Sequence, residues 1–104
     1  MGLRTTRKLT TESWTEDVQI VEAAISRFSE DRAVTNNCQV ALFETGRDDH
    51  LHVNVTHRFA TRTACGWAGP ARMPGGFVHN RRFRNARPTE IIRCVREMVY
   101  ASRT

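Results

Sequence analysis

The sequence is short of lysine, of tyrosine and, in its second half, of acid. Lys8 is the only lysine and Tyr100 the only tyrosine, and after Asp49 the only carboxylates are Glu90 and Glu97. Any cationic chemistry is therefore arginine chemistry: a planar fork that binds phosphate or carboxylate and stacks on flat rings. No apolar run approaches the length of a membrane-spanning helix and no apolar segment follows the start, so neither a transmembrane helix nor a secretory signal is expected. The three cysteines, Cys38, Cys65 and Cys94, lie far apart with no C-x-x-C. That is a poor disulfide framework and a poor zinc site, so reduced, mostly buried thiols in a cytoplasmic protein are expected, with no metal and no cofactor. No P-loop, G-x-S-x-G, H-E-x-x-H or paired-carboxylate pattern is present, and no enzyme is expected.

What is present is the composition of one globular domain: 104 residues, 39% hydrophobic and 26% charged. A chain of that length supports a modest core. Its charge is polarised. Residues 1–49 carry six basic side chains and nine acids, a net charge of −3; residues 50–104 carry ten arginines and two acids, a net charge of +8. An asymmetry of that size points to one anion-seeking face.

The first twelve residues read as a basic arm or a short edge strand, and residues 13–104 as a single α+β domain. Met1-Gly2-Leu3-Arg4-Thr5-Thr6 fits the M-G-x-x-x-[ST] acylation pattern, but membrane anchoring is a minority reading. Ser13 and Glu16 make a capping box, and Trp14, Val18, Val21, Ile25 and Phe28 follow at helical spacing, so a helix should run to residues 31–33. Asn36-Asn37 should break it. Cys38–Thr45 is β-prone, residues 46–49 read as a turn, and His50–Phe59 alternates. Leu51, Val53, Val55, His57 and Phe59 should face the core, while His50, His52, Asn54, Thr56 and Arg58 face away. A third strand is expected over residues 60–68, then a loop at Gly69–Gly76, where two prolines and three glycines fall in eight residues. A basic strand, Phe77–Ala86, follows. Pro88 opens a last helix whose inner face is Ile91, Cys94, Val95, Met98, Val99 and Ser102. The fold expected is a two-layer helix–antiparallel β-meander–helix with three to four strands.

The stretch Phe77-Val78-His79-Asn80-Arg81-Arg82-Phe83-Arg84-Asn85-Ala86-Arg87-Pro88 has four arginines, two phenylalanines and no acid. Arginine suits phosphate and phenylalanine offers a stacking platform, so the expected partner is an anionic polymer, RNA first. Arg81, Arg82, Arg84 and Arg87 are expected to be exposed and to meet phosphate. Arg93, Arg96 and Arg103 extend the surface, and Arg72 on the glycine-rich loop closes over the ligand. Structured or double-stranded RNA, read by backbone and shape, is preferred. The bland alternative is a charged edge strand that blocks aggregation. His50-x-His52 places two imidazoles on one strand face, a spacing some metal sites use, but a third ligand is missing. Cys65, between Arg62 and Arg72, is the least poor nucleophile candidate.

Gly75-Gly76-Phe77-Val78 is similar to the RNP1 signature of the RNA-recognition motif, although that fold opens on a strand with a second aromatic motif, which is absent. The element order resembles that of the double-stranded-RNA-binding domain, which runs helix, three strands, helix; Pro88-Thr89-Glu90-Ile91-Ile92 stands where that family carries a lysine-rich motif. It also resembles the ribosome hibernation factors, which place a strand before the same series, here Arg4–Leu9. No residue role is carried over from these families. The rival reading is a small phage or viral inhibitor docking on an acidic protein or nucleoprotein surface. Homodimerisation is left open.

Overall fold

In the computed structural model, residues 3–6, 12–46, 49–63 and 66–102 are described, with the side chains of 3–6, 12–15 and 33 excepted. The elements are β1 (Leu3–Thr6), α1 (Glu12–Phe28), α2 (Arg32–Asn37), β2 (Cys38–Glu44), β3 (His50–His57), β4 (Ala68–Met73), β5 (Gly76–Arg84) and α3 (Pro88–Val99). The fold is α+β, as the sequence predicts. The acylation pattern around Gly2, Arg7, Lys8, Cys65 and Arg103 lie outside the described residues, as do the side chains of Ser13 and Trp14.

The strands form one sheet in the order β1-β2-β3-β5-β4. β1 runs parallel to β2 at one edge; the other pairings are antiparallel. The four antiparallel strands are not a simple meander, because β5 lies between β3 and β4. The connection after β3 passes to the far edge before the chain returns. With four strands after the first helices, the order also has one strand more than either family it resembles.

Alternation decides which face is buried. Val40 and Leu42 on β2, and Leu51, Val53 and Val55 on β3, share the core with Phe83 of β5. Val18, Val21, Ile25 and Phe28 of α1 and Ile91, Cys94, Val95, Met98 and Val99 of α3 complete it. Both helices therefore cover the same sheet face. Their apolar residues recur at intervals of three and four, so each presents one stripe to the sheet. Among the described residues no helix covers the opposite face of β2 and β3; its side chains are half-buried or exposed.

Several boundaries differ from expectation. α1 ends at Phe28, where Asp31 N–H donates to the Phe28 carbonyl in a turn. A second helix, α2, then runs through Asn36 and Asn37 and buries Val34. Two asparagines of low helix propensity thus sit in a six-residue helix, because the adjacent Val34 anchors it in the core. β3 stops at His57, so Phe59 is exposed rather than in the core. Ser102 lies beyond α3 and is exposed. Among the described residues of 60–67 none lies in a strand; Thr61 makes an isolated bridge, and Trp67 packs edge-on against Phe83 with ring centroids 6.1 Å apart.

The expected glycine-rich loop is instead a hairpin. Met73 pairs with Gly76 across Pro74 and Gly75, and Gly75 has φ 88°. Proline followed by a positive-φ glycine is the pair a type II turn uses. Gly69 and Pro70 fall in the irregular register between Ala68 and Ala71, on an edge strand where a missing N–H is tolerated. Among the described residues no helix is long and apolar enough to cross a membrane.

Candidate nucleic-acid interface

The uncovered face of the sheet is assembled by register. On β3, His50 lies opposite Arg84, His52 opposite Arg82, Asn54 opposite Asn80 and Thr56 opposite Val78. On the other side of β3, Phe43 is opposite His52, Ala41 opposite Asn54 and Gln39 opposite Thr56. Directly opposed residues in antiparallel strands point to the same face, so these side chains form one surface. None is a carboxylate. Glu44, the acid of β2, is buried on the helix side. Among the described residues no ion pair holds Arg82 or Arg84. The surface has internal order: His52 Nε2–H donates to Asn54 Oδ1 at 3.0 Å, and the His52 ring lies 6.3 Å from the Phe43 ring at an angle of 56°.

The expected arginines do not form one patch. Arg82 and Arg84 are exposed on the open face. Arg81, between them and the helix side, points the other way because strand side chains alternate. Its guanidinium sits 4.4 Å over the Phe83 ring, Nη1 donates to Cys94 Sγ at 3.1 Å, and Nη2 is 3.8 Å from Glu90. Its side chain is only 25% exposed, so the expectation that Arg81 is a free surface residue does not hold. Arg87 is the N-cap residue of α3, exposed, three positions beyond Arg84. Arg93 is tied to Glu97 at 3.1 Å and Arg96 lies 5.8 Å over the Phe28 ring. Both are on the helix layer, across the sheet from Arg82 and Arg84. Arg72 is on β4 rather than a loop; opposite Phe77 and 5.9 Å from its ring, it belongs to the helix side near the hairpin tip.

Phe43 and Asn54 join this surface from strands outside the basic run, and Asn80 joins it from within the run. Their signal is the alternation of β2 and β3 taken together with the pairing of β3 and β5.

A second polar cluster is buried on the helix side. His57 Nε2–H donates to the Met98 carbonyl, 2.6 Å away, and His79 Nε2 is 2.9 Å from Thr61 Oγ1. The two imidazoles meet edge to face with centroids 6.0 Å apart. Burial holds the basicity of both below the ordinary histidine value; for His57 the bond to Met98 opposes this, and for His79 the neighbouring His57 adds to it. His57 and Thr61 line a cleft of about 220 Å³ beside the end of α3, with Asn37, Phe59, Val99 and Tyr100.

Burial pushes the Cys38 thiol up to about 12, which leaves no thiolate at neutral pH. Cys94 is buried against Arg81. Among the described residues no three histidine, cysteine or acidic side chains come together to hold a metal ion. No family model matches the chain, and no curated protein or solved structure matches it either.

Proposed function

We propose that this is a non-enzymatic, cytoplasmic RNA-binding protein whose contact surface is the open face of the sheet. The observation that carries the reading is the company kept by Arg82 and Arg84. They share an uncovered face with His50, His52, Asn54 and Asn80, and no carboxylate of β2, β3 or β5 is on it. A guanidinium fork without an internal acid partner is suited to phosphate oxygen. RNA is favoured over duplex DNA by shape. The major groove of B-DNA admits a helix or a two-stranded ribbon, and the face of a broad sheet meets duplex DNA only where the minor groove is opened by bending and unstacking, at a cost of a few kcal/mol per step. Structured RNA can lay phosphates and unpaired bases across such a face. Contacts to phosphate set register and orientation, so affinity should vary little with sequence.

The test is equilibrium binding of duplex RNA, duplex DNA and single strands at two salt concentrations. Log K should fall with log salt by about 0.7–0.9 per phosphate contact, with RNA bound more tightly than duplex DNA. Protein freed of nucleic acid that binds none of these in a salt-sensitive way would overturn the reading and turn attention to an acidic protein surface.

A further inference from the structure

The open face is not uniformly cationic. One rung across the sheet runs Phe43, His52, Arg82, from β2 through β3 to β5. It places a hydrocarbon ring at one end, an imidazole in the middle and a guanidinium at the other. Phe43 is half-buried and is the one aromatic hydrocarbon ring on this face of β2, β3 and β5, whose other apolar side chains are Ala41 and Val78. An aromatic ring left there gains little for the fold, since the core lies on the opposite face. The imidazole beside it is held by Asn54, and the two rings are tilted rather than stacked on each other, so neither occupies the other's π-face. One rung along, Asn54 and Asn80 oppose each other. Each amide carries a donor and an acceptor together, the combination that the edge of a base requires. The first and last strands of the rung are two strand spacings apart, roughly 10 Å, the span of a nucleotide or two.

We propose that Phe43 and His52 form a platform for an unpaired base of the bound RNA, with Asn54 and Asn80 at the base's edge and Arg82 on its phosphate. The proposal rests on the RNA reading above and narrows it: the preferred ligand is a structured RNA with an exposed loop or bulge, not a continuous duplex. A paired base shows only its groove edges and offers no face to a ring.

The test compares a blunt RNA duplex with a hairpin of the same stem whose loop carries 2-aminopurine, a fluorescent base quenched by stacking. Wild-type protein should bind the hairpin more tightly by on the order of ten-fold, the size of one base–aromatic stack, and the loop emission should fall on binding. Phe43→Ala should remove the preference, bringing hairpin affinity down to that of the duplex. Phe43→Trp should keep the preference. Emission from the wild-type complex decides the matter even if Phe43→Ala folds poorly. Salt-sensitive binding with equal affinity for both RNAs and unchanged emission would overturn the platform and leave the RNA reading standing. Binding of neither RNA would overturn both.

Discussion

His57 and His79 show how far a position can dictate a side chain's chemistry. A carbonyl oxygen can only accept, so the Met98 contact fixes a proton on Nε2 of His57. Alternation on β3 and β5 places both rings beneath the sheet, where a charge is poorly solvated. Both groups are harder to protonate in the folded protein than in the unfolded chain, whose histidines take up protons near 6.5. The unfolded state therefore binds more protons as pH falls, and stability rises with pH through this window. The urea midpoint should be highest above about pH 6.5 and fall as pH drops towards 5.5. His79→Gln should flatten that slope. A midpoint that is level, or that rises on acidification, would contradict the placement of the two rings. The inward direction of His57 is legible from strand periodicity. The outward turn of Phe59, two residues on, is not, because the chain leaves the sheet at Arg58, where its N–H turns to the Asn37 carbonyl.

At the scale of elements, the helices and the β2–β3 pair are the legible part, because each buries one face and so writes a period into its residues. The β4–β5 hairpin is not legible in the same way. All of β4 is exposed, so no apolar alternation marks it, and its prolines and glycines have the composition of a loop. What makes it a strand is pairing with β5, a tertiary contact. Gly76 shows the tightness of that arrangement: a Cβ there would run into the His57 carbonyl oxygen and crowd Arg58. Backbone atoms cannot swing aside as a flexible side chain can. Gly76→Ala should lower stability by about 1–3 kcal/mol, read as a lower urea midpoint with an unchanged denaturant slope. An unchanged midpoint would mean that the end of β3 and the start of β5 do not approach in this way.

The whole molecule separates its charge differently from the chain. Along the sequence the basic residues gather after Asp49; in space they divide between two sides of a sheet. The run from Arg81 to Arg84 reads as one patch only while the strand's alternation is ignored. Arg81 then goes to the core side, and Arg93 and Arg96 go with the helices. The open face recruits Phe43, His50, His52 and Asn54 from strands outside the basic run. Those residues are found by register, and register between β3 and β5 spans the β4 hairpin, which local sequence does not reveal.

The central claim is that the open sheet face, not the arginine total, binds RNA. The direct measurement sets two double variants side by side, Arg82→Ala with Arg84→Ala, and Arg93→Ala with Arg96→Ala. Each removes the same formal charge from exposed side chains, and the urea midpoint of each variant is measured alongside, because the helix-face pair also loses the Arg93–Glu97 ion pair and the Arg96 contact with the Phe28 ring. Affinity for a structured RNA is then followed across a salt series. The account predicts that the sheet-face pair weakens binding and lowers the magnitude of the salt slope by roughly 0.7–0.9 per lost contact, while the helix-face pair leaves both close to wild type. Equal losses from the two pairs, or a larger loss from Arg93 and Arg96, would contradict it.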